Sequence, residues 1–141
     1  MKIVELSSEG EWREAFPLMQ QLRPHLDEAQ YLSLLAAMKP SGYRLFALRE
    51  AEGGIVALAG LTLTTSLYDL DHLFLYDLVT DEARQGAGFG KQMLGYVEDF
   101  ARENGCTGVT LSSGFQRTRA HRFYEQGMGY SKTGYSFRKR F

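Results

Sequence analysis

One cysteine, Cys106, stands in 141 residues, so no disulfide can form within the chain. That usage fits a reduced, cytoplasmic compartment. Long hydrophobic runs are absent as well. None approaches the ~18 apolar residues that a membrane span needs, and the N-terminus has no signal-peptide pattern. The expectation is a cytoplasmic protein with no membrane partner. Surplus positive charge is missing too: the formal net charge is −1, against the basic excess usual in nucleic-acid binders. The Arg138-Lys139-Arg140 cluster is short and reads as the solvent face of a last strand. His25, His72, His121 and Cys106 share no ligand spacing, so no metal is expected. Repeats, linkers and low-complexity tracts are also lacking. The length suits one domain, residues 1–141, with a core of its own.

What is present alternates between two periods. Trp12, Phe16, Met19 and Leu22 fall on one helical face across residues 9–22, with Pro17 inside the pattern. Asp27 can cap a second helix with Leu32, Leu35 and Met38 as its stripe, closed by Pro40-Ser41-Gly42. Tyr43 to Arg49 and Ile55 to Thr64 are β-type runs separated by Glu52-Gly53-Gly54, a hairpin signal. Residues 72–80 give a third strand. Phe89, Met93, Val97, Phe100 and Ala101 mark an amphipathic helix ending near Asn104 and Gly105. Val109-Thr110-Leu111 reads as a short strand, Ala120 to Gln126 as a short helix, and Tyr130 to Phe141 as two closing strands divided at Gly134. The order predicts a mixed α/β sheet, of the α+β kind, with helices packed against it.

The most informative stretch is Gln85-Gly86-Ala87-Gly88-Phe89-Gly90-Lys91, between the apolar run Leu73 to Thr80 and the third helix. Glycines at alternate positions let a loop take positive φ and bring its N–H groups against a ligand. The helix start adds unsatisfied N–H groups and the positive end of its dipole. Together they read as an anion cradle. Two nucleotide patterns fail there. G-x-G-x-x-G needs glycine at 91 or 93, where Lys91 and Met93 stand. The P-loop needs glycine at 85 and a hydroxyl at 92, and both positions are glutamine.

The spacing Q/R-x-x-G-x-G/A does fit, as Gln85, Gly88 and Gly90. With Asp77-Leu78-Val79-Thr80 before it and Ala120-His121-Arg122-Phe123-Tyr124-Glu125 some thirty residues later, the chain resembles the GNAT family of acetyl-coenzyme A-dependent N-acetyltransferases. The likeness covers roughly residues 43–141. It implies a mostly antiparallel mixed sheet of six to seven strands, splayed at the cofactor site and flanked by about four helices. It implies acetyl-CoA as cosubstrate, its pyrophosphate held by Gln85, Gly86, Ala87, Gly88, Phe89 and Gly90, with Lys91 able to add charge. The pantetheine would pair with the backbone at Leu78, Val79 and Thr80, with the oxyanion donor near Val79.

The reaction is attack of an uncharged amine on the thioester, with loss of thiolate. It needs an acceptor for the ammonium proton, an oxyanion donor and an acid for sulfur. Tyr124 resembles the family's general acid; the bland alternative is a packed aromatic. Asp77 sits in an apolar strand, where an unpartnered carboxylate is costly. It either serves the amine, directly or through water, or belongs to a structural ion pair. His72 is a second candidate base, although a lone histidine at a strand start is usually structural.

Two departures from the family's pattern stand out. Arg117 occupies a position where an asparagine contacting the coenzyme is common, and Gly127 and Gly129 miss the usual glycine spacing after the tyrosine by one residue. Cys106, with no cationic neighbour in sequence, reads as structural. Asp69, Asp71 and Asp77, with Tyr68 and His72 among them, suit a cationic amine or form a merely polar loop. The expected partner is a small-molecule amine. Acetylation of protein lysines or N-termini, and an acyl-CoA-binding module without turnover, are the alternatives. Strand edges and aromatic C-terminal residues leave room for a homodimer.

Overall fold

A computed structural model describes residues 1–141. The chain forms two compact units, Met1–Thr110 and Leu111–Phe141. The first opens with a strand that helix and strand periodicity alone did not flag, β1 (Lys2–Leu6). It pairs antiparallel with β2 (Arg44–Arg49), Lys2 facing Arg49 and Leu6 facing Leu45. Five residues are too few to display a period; Val4 and Leu6 join the core beneath α1 and α2, and Ile3 is half-buried.

Helix α1 (Glu9–Leu22) runs through Pro17, and α2 covers Glu28–Met38. Both begin with capping boxes. Ser8 and Glu11 satisfy each other's backbone N–H groups, as do Asp27 and Gln30. The apolar face of α1 is buried at Ala15, Phe16, Leu18 and Met19. In α2 the buried positions are Tyr31 and Leu35, while Leu32 and Met38 are only half-buried. Tyr31 donates its hydroxyl to the Trp12 carbonyl at 2.7 Å, tying the two helices.

Strands β3 (Ile55–Ser66) and β4 (Leu70–Thr80) form a long antiparallel hairpin beside β2. After α3 (Phe89–Glu103), β5 (Val109–Leu111) joins at β4, giving the order β1-β2-β3-β4-β5. A return through a helix is the connection that a parallel neighbour requires. Alternation along the strands divides the core. Leu6, Tyr43, Leu45, Ala47 and Leu58 pack with α1 and α2. On the other face α3 buries Met93, Leu94, Val97 and Ala101, with Phe46 against Tyr96 and Phe100 at centroid distances of 5.5 and 5.3 Å. No helix is long and apolar enough to cross a membrane.

In the second unit, α4 (Thr118–Arg122) continues into a π-helical turn, Phe123–Gly127. The expected closing strands are absent: residues 131–141 carry no regular structure and every side chain there is exposed. A lone pair of short strands with neither face buried is marginal in water. The sheet therefore has five strands rather than six or seven.

Candidate active site

The glycine loop is built for close approach. Gly86 (φ 87°) and Gly88 (φ 85°) are left-handed, and a Cβ built on either meets nothing within 4 Å. Gly90, by contrast, already belongs to the first turn of α3. Gly88 caps α3 with no side-chain hydrogen bond, and the first helical bond runs from Gln92 N to Gly88 O. The N–H groups of Phe89, Gly90 and Lys91 therefore stand at a helix start with no side-chain cap. Residues Gln85 to Gly88 and Lys91 are exposed, while Phe89 and Gly90 are half-buried. This loop and this helix end suit a pyrophosphate.

Its entrance is held from elsewhere in the fold. Gln21 of α1 donates to Asp81 Oδ1 at 3.2 Å and accepts from Glu82 N at 3.0 Å. Arg84 pairs with Glu50 beside the β2–β3 turn and lies over the Phe89 ring, 5.2 Å from its centroid.

Along β4 the register slips. Gly60 faces Asp77 and Leu61 faces Leu75, so Tyr76 is an extra residue in the strand. The slip shows in the edges: Leu73 N donates to Gly108 O on the β5 side, whereas Asp81 N donates to Val56 O on the β3 side. Eight residues apart, these two would point the same way in an unbroken ladder. After the bulge, the backbone groups turned away from β3 belong to Leu78 and Thr80, and those of Val79 turn toward it. β5 spans three residues against eleven in β4. Part of the β4 edge thus runs on past its neighbour.

Asp77 is not an unpartnered carboxylate. Arg23, at the end of α1, donates through Nε to its Oδ1 at 3.0 Å, with Nη2 in ion-pair contact with the same oxygen at 2.9 Å. The same Nη2 reaches the bulged Tyr76 carbonyl at 2.8 Å. Tyr43 donates its hydroxyl to Oδ2 at 2.6 Å. Burial and the neighbouring carboxylate push the Tyr43 phenol well above its usual range. Asp77 thus stands in an ion pair with both oxygens engaged. The triad fits only because residue 60 is glycine: a Cβ there would lie 1.8 Å from the Tyr43 hydroxyl oxygen and 2.6 Å from Asp77 Oδ2.

Beside the triad, on the α1–α2 face, a cavity of about 170 Å³ is lined by Ala37, Met38, Ser41, Tyr43, Thr62 and Tyr76. The Tyr43 and Tyr76 rings lie 5.8 Å apart, and Phe74 meets Tyr76 edge-on at 4.8 Å.

The expected acidic cluster does not assemble. Asp71 lies six residues before Asp77 on β4, about 20 Å along the strand, and its carboxylate is held by Thr65 at 2.7 Å. Asp69 sits in the hairpin turn, where its N–H binds Ser66 Oγ. His72 is buried, with Nδ1 2.9 Å from the Leu70 carbonyl, a structural placement. Burial raises the Cys106 thiol, which makes it a poor nucleophile.

In the second unit, Tyr124 stands in the π-helical turn, its ring 5.4 Å from Phe123 and 5.8 Å from Tyr130. A π turn holds one more residue than an α turn, which accounts for the one-residue shift of the glycines after Tyr124. Burial raises the Tyr124 phenol, and the Arg117 charge partly offsets that. Arg117 immediately precedes α4. Ser113 Oγ is buried with no hydrogen-bond partner. No group of three or more His, Cys, Asp or Glu side chains could hold a metal ion.

Sequence reasoning missed Arg23, Tyr43 and Gly60. The one available signal was Gly60 itself, a glycine inside an apolar strand, which marks a bulge or a close approach.

Comparison with known proteins is consistent with this geometry. Residues 9–130 match the sequence model of the acetyltransferase (GNAT) family. The chain is 43% identical over 136 residues to "Uncharacterized N-acetyltransferase YhdJ" of Bacillus subtilis (strain 168), covering 96% of this chain and 95% of that one. It is 28% identical over 125 residues to the aminoalkylphosphonate N-acetyltransferase of Salmonella typhimurium, covering 86% and 79%. Among solved structures, a putative acetyltransferase from Agrobacterium tumefaciens superposes with a TM-score of 0.81 at 28% identity, over 99% of this chain and 100% of that one.

Proposed function

Because the chain belongs to the acetyltransferase (GNAT) family and is an acyltransferase, we propose that it acts as a single N-acetyltransferase domain, moving the acetyl group of acetyl-CoA to a primary amine of a small molecule. The observation that carries this reading is the left-handed Gly86–Gly88 loop at the uncapped start of α3, following a bulged β4 whose edge outruns β5. Its amides, from Gln85 to Gly90, suit a pyrophosphate, with Lys91 adjacent. The outward backbone groups of Leu78 and Thr80 suit the amides of an extended ligand added as a strand.

The amine nitrogen attacks the thioester carbonyl, and the resulting oxyanion accepts the outward N–H of Leu78 rather than that of Val79, which faces β3. The C–S bond then breaks, and Tyr124 supplies the proton to sulfur. A phenol raised by burial keeps its proton at neutral pH and delivers it to a thiolate formed beside it. The ammonium proton leaves to water, and the Tyr124 phenolate takes a proton back from solvent before the next turnover. Asp77, with both oxygens engaged, acts as a positioning residue that fixes Tyr43 and Arg23. Arg117 is assigned a coenzyme contact in place of the family's asparagine.

The small-molecule acceptor finds support in the 28% identical relative, named for a small aminoalkylphosphonate. The test is thiol release from acetyl-CoA against a panel of free amines and lysine peptides, with Tyr124→Phe alongside. Release with free amines is expected, and Tyr124→Phe should lower kcat about 10²-fold or more, the usual contribution of a general acid. Tight coenzyme binding with no release for any amine or peptide sinks the enzymatic reading. Normal turnover by Tyr124→Phe removes only the acid assignment.

A further inference from the structure

The cavity beside Tyr43 states more about the acceptor than the glycine loop can. We propose that it is the acceptor subsite, and that it takes a primary amine with a compact, uncharged apolar body of about six carbons, aliphatic or aryl. This rests on the acetyltransfer reading above and adds the class of amine.

Three observations carry it. The first is charge. All six lining residues are uncharged. Of the cations around the triad and the α2–β2 connection, Arg23 is paired with Asp77 and Arg44 with Glu5 at 2.7 Å, while Lys39 donates to the Ser7 carbonyl at 2.9 Å. A carboxylate or phosphonate entering here would be desolvated with no cation among the lining residues to pair it. A second ammonium, as in a polyamine, would meet no free carboxylate, because Asp77 is already paired.

The second is size. The cavity holds about 170 Å³, and an apolar cavity of roughly 150 Å³ is enough for benzene. The walls suit such a body: the Tyr43 and Tyr76 rings, the Met38 thioether and the Ala37 methyl.

The third is an underused hydroxyl. Thr62 is 7% exposed, yet its Oγ1 has one long contact, 3.4 Å to the Leu63 carbonyl. That exceeds the usual O–H···O range. The Tyr43 oxygen donates its only proton to Asp77 and so presents a lone pair. Thr62, whose hydroxyl is all but unengaged, thus offers an acceptor for an amine N–H, and the Tyr43 lone pair is a second candidate. Tyr76 lies at the β4 bulge, one residue before Asp77, so an amine held here sits next to the strand segment assigned to the thioester.

The experiment compares kcat/KM of the full chain for benzylamine, phenethylamine and pentylamine with that for 2-aminoethylphosphonate and spermidine, at fixed acetyl-CoA. The apolar amines should lead by about tenfold or more, the discrimination that one or two buried methylenes supply. Ala37→Phe, which fills the cavity from α2, should cost phenethylamine about tenfold more than it costs ethylamine. Thr62→Val, which keeps the shape and removes the acceptor, should raise KM for all of these amines. A lead for the phosphonate or polyamine, or an Ala37→Phe loss independent of amine size, overturns the inference and leaves acetyltransfer standing. If no amine turns over while acetyl-CoA binds, the acetyltransfer reading is what fails. Saturation-transfer NMR of phenethylamine on wild type and Ala37→Phe then decides the cavity by itself: a signal lost in the variant supports it, and no signal in wild type overturns it.

Discussion

Gly60 shows how much one missing side chain can decide. Within an apolar strand a glycine gives up packing and costs backbone entropy. Here the vacated space holds the Tyr43 hydroxyl against Asp77. Gly60→Ala must drive the ring off its partner, leaving a buried phenol and a charged pair short of a hydrogen bond. Overpacking and the lost buried bond together should cost about 3 kcal/mol, read as a lower urea midpoint. Gly95→Ala is the contrast. It lies inside α3 with nothing within 4 Å of its would-be Cβ, and should gain about 0.5–1 kcal/mol from helix propensity. Equal effects at the two glycines would show that the Tyr43–Asp77 contact is not what demands Gly60. Of the triad, sequence reasoning singled out only Asp77, and Gly60 was the one local signal of the other two. Arg23 and Tyr43 stand 54 and 34 residues from Asp77, and no local pattern reports pairing over such distances.

At the scale of elements, the loop before α3 separates strain from steric need. Gly86 and Gly88 have open space around them but left-handed φ, so alanine there meets no neighbour and only resists the backbone shape. That resistance is about 1–2 kcal/mol per residue. Gly88→Ala should therefore raise KM for acetyl-CoA about tenfold, with kcat at saturating coenzyme nearly kept. Gly90→Ala, in the first helical turn, should disturb the backbone far less. A Gly88→Ala enzyme with unchanged KM would remove the loop from coenzyme binding. These elements were legible in the sequence because their signals are local: glycine spacing, a capping aspartate at residue 27, and apolar periods of 3.6 or 2. Elements whose existence depends on a partner were not. β1 is five residues long and becomes a strand only beside β2. The run from Tyr130 to Phe141, expected as two strands divided at Gly134, leaves its aromatics Tyr135, Phe137 and Phe141 exposed. The π turn was half-visible, as a glycine spacing one residue out of step.

For the whole molecule, pH sets stability and activity against each other. Tyr31 and Tyr43 are both raised above the ordinary phenol range, chiefly by burial and then by the Asp77 charge. Their hydroxyls tie α2 to α1 through Trp12, and the residue just before β2 to β4 through Asp77. A group whose folded pKa is raised contributes stability that is complete below its unfolded pKa, about 10 for tyrosine. That stability declines as pH climbs from there toward the folded value, because the unfolded chain releases the proton first. Urea midpoints should accordingly show no tyrosine-dependent loss up to about pH 10. Above that, each of the two residues should remove about 1.4 kcal/mol per pH unit, and Tyr43→Phe should abolish one share of that slope while lowering stability at pH 8. The proposed reaction pulls the other way, since a primary alkylamine is mostly charged below about pH 10, the range of the lysine side chain. Turnover should climb toward pH 10 and then collapse as the fold opens rather than as Tyr124 titrates, because that phenol is raised as well. Circular dichroism recorded with the pH–rate profile distinguishes the two causes. Loss of turnover at pH 10–11 with the fold intact would assign the alkaline limb to Tyr124, and simultaneous loss of both would assign it to the tyrosines that hold the first unit together.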